Sequence, residues 1–215
     1  MHAAMRLGRI ACILLSCLLT VSCARKVQEF SFPMGEGASW TYSGAYSSKL
    51  ASGSIKLPVS SHTLLVQGAR EIDGEKYHQL LVTLEETPYA TILLQNDSKG
   101  LYLKDGGVKY LLFPRSLSKG ATWKARILGK ELTFTAGGEK QVTTPAGTYQ
   151  AMKISFKSES QLSGAFWCAH STGAVIIDYT DGDERPPRSL HLELREFKKP
   201  RNPATGQDSP EPSSK

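Results

Sequence analysis

The sequence predicts an all-β protein built on a single curved antiparallel meander sheet, an open or half barrel, of about 11–12 strands. A two-sheet sandwich is the alternative. Three observations lead there. Between residues 38 and 197 apolar and polar side chains alternate in short runs, the period of a half-buried strand. Turn residues separate the runs at hairpin spacing. Almost nothing in this region repeats apolar residues at helical intervals. Alternation leaves one face wet, as in an antiparallel sheet covering its own core. A sheet of so many strands rarely stays flat and open.

The elements follow in order. Trp40 and Tyr42 share one face of a first strand at residues 39–43. Residues 62–67 lead into 69–72, and Asp73-Gly74 makes a two-residue hairpin turn of the type that strand twist favours. The return strand, residues 77–84, puts Leu80, Val82 and Leu84 inward and Gln79, Leu81 and Thr83 opposite. Residues 89–94 follow, then the turn Asp97-Ser98-Lys99-Gly100. Residues 101–103 and 108–113 flank Asp105-Gly106-Gly107. Residues 122–128 turn at Gly129-Lys130 into 132–135. Residues 141–144 lead to Pro145-Ala146-Gly147-Thr148, where Pro fixes φ and Gly supplies a positive one. Residues 150–157 place Met152, Ile154 and Phe156 inward. Residues 165–169 and 175–179 flank Ser171-Thr172-Gly173. The last strand sets Leu190, Leu192 and Leu194 against His191, Glu193 and Arg195.

Residues 1–22 read as a signal peptide. The basic stretch Met5-Arg6-Leu7-Gly8-Arg9 precedes an apolar run over residues 10–21. That run is short of the ~20 residues a bilayer span needs and has the length of a signal-peptide core. Leu19-Thr20-Val21-Ser22-Cys23 is similar to a bacterial lipobox, departing from it at Thr20, where Leu is usual. Cys23 is therefore the expected site of lipidation. Leu14-Leu15-Ser16-Cys17 is a competing box that leaves a shorter apolar core. A plain secretory signal cleaved near Ala24 is a further alternative. Arg25 and Lys26 would lie over anionic head groups, at about 1 kcal/mol each. Ala24 rather than Asp follows the outer-membrane sorting habit of enteric lipoproteins. The expected location is lipid-anchored at the cell membrane, or at the outer membrane or periplasmic face in a host with two membranes. Residues 23–37 form the lipidated cysteine and tether, and 38–197 the β domain. Residues 198–215 form a disordered tail, with Pro200, Pro203, Pro210 and Pro212 among few apolar side chains.

Of 215 residues, 40% are hydrophobic and 21% charged, which excludes a wholly disordered chain and a multi-span membrane protein. The net charge of +6 falls to +4 without residues 1–22, which carry Arg6 and Arg9. That excess is too mild for a nucleic-acid partner. Of the four cysteines, Cys12 and Cys17 leave with the signal and Cys23 carries lipid. Cys168 alone stays in the domain, and a lone thiol in an oxidising compartment survives best when buried.

Phe32-Pro33-Met34-Gly35-Glu36-Gly37-Ala38-Ser39-Trp40-Thr41-Tyr42 resembles the FPL-x-x-G-x-x-W-x-Y opening of a family of uncharacterised bacterial lipoproteins. Val142-Thr143-Thr144-Pro145-Ala146-Gly147-Thr148-Tyr149 is similar to that family's V-x-(V/T)-P-A-G-T-(F/Y) segment. Phe166-Trp167-Cys168-Ala169, followed by Gly173-Ala174-Val175, resembles its aromatic hairpin, with Cys168 where an aromatic is usual and His170-Ser171-Thr172 in the turn. The resemblance implies a periplasmic or surface lipoprotein shaped in general like a lipoprotein-carrier half barrel. It implies no activity. It also favours Trp40 and Trp167 as core residues; the aromatic bulk of Trp167 argues the same way, and with Trp167 inward Cys168 would face the other side of the sheet.

Chemistry-bearing constellations are sparse. No G-x-S-x-G, H-E-x-x-H or Walker loop occurs. Cys168 and His170 are two apart and could share a strand face, but a buried Cys beside a turn His is the simpler reading. Thr180-Asp181-Gly182-Asp183-Glu184 gathers carboxylates yet matches no calcium loop, so it reads as a solvated hairpin tip. His62, His78 and His191 have no partner spacing. Lys198-Lys199-Pro200-Arg201 reads as a solvated charge run. No catalytic residue, metal ligand or cofactor is assigned, and the protein is not expected to be an enzyme. Two functions remain. One is a membrane-tethered binding or carrier module for a lipid or apolar ligand. The other is a structural adaptor docking a protein partner in an envelope complex. Metabolic labelling with a palmitate analogue is expected to mark the protein and to vanish in Cys23→Ser; loss only in Cys17→Ser would move the site to the competing box.

Overall fold

A computed structural model describes residues 27–50, 52–127 and 129–201. The signal peptide, Cys17, Cys23 and residues 202–215 of the expected tail lie outside these. Among the described residues there are fourteen strands and no helix. The first half runs β1 (Val27–Glu29), β2 (Ser39–Leu50), β3 (Gly53–Ile72), β4 (Glu75–Leu84), β5 (Thr87–Asn96), β6 (Gly100–Asp105) and β7 (Val108–Pro114). The second half runs β8 (Ser116–Ser118), β9 (Thr122–Ile127), β10 (Lys130–Thr144), β11 (Gly147–Ser158), β12 (Leu162–Ala169), β13 (Gly173–Asp181) and β14 (Arg188–Lys198).

Twelve strands form one antiparallel sheet in the order β7-β6-β5-β4-β3-β2-β14-β13-β12-β11-β10-β9, nearly closed into a barrel. β1 and β8 make a separate two-stranded sheet. The expected curved all-β sheet is present, and the sandwich is not. The sheet is two meanders rather than one: β2–β7 and β9–β14 meet where the first strand of one pairs with the last strand of the other, placing Trp40 opposite Phe197 and Tyr46 opposite Leu190.

Alternation decides which side chains fill the core. Leu80 and Val82, Met152 and Ile154, and Leu190, Leu192 and Leu194 are all buried where expected. Asp73 and Gly74 carry φ of 56° and 74°, the left-handed pair that a type I′ hairpin requires. Two strands differ from expectation. β10 is continuous through Gly137-Gly138, where the ladder slips between Ala136 and Glu139. A Gly pair in a strand marks a bulge as readily as a turn. β3 begins at Gly53, well before residue 62.

Trp167 corrects a further expectation. It pairs with Lys153 and lies on the outer face, with Lys140 Nζ 4.2 Å and Lys153 Nζ 5.7 Å from its ring centre. Phe166 and Cys168 point inward instead, and Cys168 is 1% exposed. Two lysine ammonium groups over an indole form a stable outer-face arrangement, so the aromatic mass of Trp167 did not decide its direction.

The two edges, β7 and β9, face each other without ladder hydrogen bonds between them. The indole N–H of Trp123 on β9 donates to the Leu112 carbonyl on β7 at 3.0 Å. Trp123 also stacks on Phe134 at 5.3 Å, and Phe113 meets both rings edge-on.

One end of the barrel has a floor. Phe30 N–H donates to Arg115 O at 2.8 Å and Ser31 N–H to His170 O at 3.1 Å. Asn96 Nδ2 donates to Phe32 O at 3.3 Å, and the Phe32 ring stacks on Phe113 at 5.4 Å. The segment after β14 joins this floor: Arg201 N–H donates to Glu36 O at 3.0 Å. β14 itself reaches Lys198, the first residue of the expected tail. The hairpins β2–β3, β9–β10, β11–β12 and β13–β14 gather at the opposite end.

Chemical denaturation should rank three variants. Phe134, fully buried, should lose about 3–5 kcal/mol as Phe134→Ala. Gly44→Ala should also be severe, because a Cβ there would lie 1.9 Å from the His191 carbonyl oxygen. Trp167→Ala should cost much less than either; a loss equal to that of Phe134→Ala would contradict its outer-face position.

Candidate functional site: an apolar interior with a polar mouth

The inward positions of the strands line two adjoining chambers. The lower, about 270 Å³, lies above the floor among Phe32, Met34, Leu64, Leu94, Leu103 and Phe113. The upper, about 430 Å³, opens at the hairpin end beside Tyr46, His62, Lys130, Tyr179 and Asp181. Ile127, Phe166 and Ile177 line both and form a waist between them. Both have the apolar lining of ligand pockets; the upper falls within their usual ~300–1,000 Å³ and the lower just under it.

The polar atoms of the lower chamber are already engaged. Trp40 donates its indole N–H to Thr172 O at 2.5 Å, and Tyr42 donates its hydroxyl to Ala174 O at 2.8 Å. Burial, and the neighbouring Cys168, push the Tyr42 hydroxyl far above the ordinary tyrosine range. What remains facing this space is hydrocarbon and aromatic surface.

The mouth is ionic. Lys130 Nζ lies 3.1 Å from Asp183 Oδ2 and 3.4 Å from Asp181 Oδ2. The hydrogen bond to Asp183, followed by Asp181, holds the Lys130 ammonium above its usual range, and Lys130 holds the Asp183 carboxyl below its own. Burial, with Tyr46 alongside, pushes the Tyr179 hydroxyl up to about 12. Burial lowers the pKa of His62, which favours its neutral form.

The sequence-level candidates fall apart by face. Cys168 is buried on the inner side, where desolvation pushes its thiol up to about 12. His170 is exposed on the β12–β13 turn against the Phe30 ring, so the two form no reactive pair. Asp181 and Asp183 are spent on Lys130, and Glu184 pairs with Arg188 at 2.8 Å. Among the described residues no group of three or more His, Cys, Asp or Glu could hold a metal ion. His78 is half-buried and its pKa is lowered by burial, then by Lys76. His191 has partners that spacing alone did not reveal: Asp178 Oδ1 lies 2.5 Å from Nδ1, and Glu193 Oε1 lies 3.2 Å from Nε2. Glu193 was legible as a same-face neighbour two residues away. Asp178 needed the β13–β14 register. Lys130 and the waist also went unnoticed, because a turn lysine and isolated apolar residues carry no local signal.

No family model matches the chain, and no curated protein does. Two solved structures do. One is a protein of Bacteroides fragilis, provisionally described as exported and as having a YmcC-like fold, at 15% identity and a TM-score of 0.50 over 80% of this chain and all of that one. The other is a protein of Parabacteroides distasonis, provisionally described as a lipoprotein, at 16% identity and a TM-score of 0.43 over 80% of this chain and 99% of that one. The first likeness shows a shared fold.

Two titrations follow. For His191 burial lowers the pKa, but the hydrogen bonds to Asp178 and Glu193 outweigh it and the net shift is upward. Its contribution to stability is complete below the unfolded value near ~6.5 and is lost as pH rises through the folded value. NMR titration of the ring should show a raised pKa that falls in Asp178→Asn; an unchanged value would exclude the ion pair. Cys168 should resist maleimide in the folded protein and react promptly in denaturant.

Proposed function

We propose that the protein is an envelope lipoprotein, tethered to the membrane through Cys23, that binds a lipid or other apolar ligand inside its barrel. The observation that carries this reading is the lower chamber, where every polar side-chain atom is already bonded to backbone. Such a lining attracts apolar groups and penalises polar ones. The outer face supports a domain in water rather than in the bilayer. Lys140, Lys153, Lys157 and His191 are exposed there, where a membrane barrel carries an apolar band. With lipid on Cys23, residues 24–26 allow Val27 a reach of at most about 14 Å. The floor then sits toward the membrane and the mouth away from it. The provisional description of the Bacteroides fragilis structure as an exported protein agrees with an envelope location.

A second reading, the adaptor, draws support from the β2–β3 hairpin. Residues 53–59 of β3 pair with β2 on one side only, because Glu85 bonds Ser60 and Ser61 and β4 joins from His62 onward. Ile55 and Leu57 on this arm are 48% and 60% exposed. An unpaired edge with apolar side chains can accept a partner strand.

Native mass spectrometry of the protein purified from its host separates the two. A lipid mass beyond the anchor, lost on delipidation, is the expected result. A stoichiometric protein, released by Leu57→Asp, would favour the adaptor instead.

A further inference from the structure

The interior has a direction: hydrocarbon at the floor, ionic and phenolic groups at the mouth. Resting on the apolar-ligand reading above, we infer that the ligand is a single-chain amphiphile with an uncharged, hydroxylated head. The head sits at the Lys130–Asp181 mouth, and the chain threads past Ile127, Phe166 and Ile177 toward Phe32 and Met34.

Three observations carry this. First, an accepting group pushed to the floor would find no free side-chain donor, since Trp40 and Tyr42 already donate to backbone carbonyls. The head therefore stays at the other end, among Tyr46, Tyr179, Lys130 and Asp181. Second, the Lys130 ammonium is shared between the Asp181 and Asp183 carboxylates. A free carboxylate head would meet no unpaired cation there and would lie beside two acids. A hydroxyl head can donate to those carboxylates and accept from the tyrosines. Third, the lower chamber is only about 270 Å³ and is reached through a waist of one aromatic and two branched side chains. That is below the ~300 Å³ at which ordinary ligand pockets begin, and it suits one chain rather than two.

The test uses the full mature chain with Cys23→Ser, so that no anchor lipid competes. Its probes are monooctanoylglycerol, monopalmitoylglycerol, palmitate, and monoacylglycerols brominated either at the chain end or beside the ester. Trp40 lines the lower chamber and reports bromine by loss of fluorescence. Chain-end bromine should quench, ester-side bromine should not, and Trp40→Phe should remove the difference. Monopalmitoylglycerol should bind at least about tenfold tighter than monooctanoylglycerol, because the added methylenes leave water, and tighter than palmitate. Ile177→Phe should erase the chain-length gain while leaving the octanoyl ester bound. If that variant does not fold, the bromine pair in the otherwise unchanged chain decides. Equal binding of both esters with silent chain-end bromine would overturn the threading and leave the apolar-ligand reading standing. Tighter binding of palmitate would overturn the uncharged head. Failure of every probe to bind would overturn both readings.

Discussion

The pairing of β2 with β14 is the constraint on which the rest of the molecule depends. Without it the chain would be two six-stranded meanders, each with an apolar face and nothing to cover it. The ladder from Ser39 opposite Lys198 to Ser48 opposite Arg188 fuses them into one sheet. It is also the pairing of longest sequence separation, so its loop-closure cost is carried by the contacts that follow. Once it forms, the curl of twelve strands brings β7 and β9 face to face, and the inward leucines and phenylalanines find each other across the barrel.

The same pairing places both ends of the folded chain together. The segment before β2 and the segment after β14 leave at one end, and there they bond to each other through Glu36 and Arg201. Phe30 and Phe32 then cover the floor. What makes a chamber of the interior is thus the ten or so residues before β2, in the region read from sequence as tether. Their amides are bonded to Arg115 and His170, and the Phe32 carbonyl accepts from Asn96, so the floor is fastened by polar contacts and filled by rings.

Much of the sheet was legible in the sequence, because strand period and turn chemistry are local. Met152, Ile154 and Phe156 announce their face by alternation, and Asp73-Gly74 announces its turn. What failed was also local in origin but decided elsewhere. Gly137-Gly138 has the composition of a turn, yet the chain continues because β11 supplies a ladder on both sides of the slip. Trp167 was assigned inward on size and family resemblance, but a register slip beside Cys168 and two facing lysines hold it outside. The chambers themselves were beyond the reach of alternation. Periodicity tells which side chains point inward and not whether they meet. Lys130 becomes a mouth residue only because the β13–β14 hairpin brings Asp181 and Asp183 to it.

The seam between β7 and β9 has a mechanical meaning. Every other neighbouring pair in the sheet is joined by a backbone ladder, and parting any of them would break several hydrogen bonds at once. Here the joint is one indole hydrogen bond, from Trp123 to Leu112, and a few ring contacts. A single hydrogen bond is worth about 0.5–1.5 kcal/mol net. Among the described residues this seam is therefore joined through side chains and not through a backbone ladder. It runs along the strand that carries Ile127, which borders both chambers, so the ladder-free joint of the wall and a residue shared by the two chambers lie side by side.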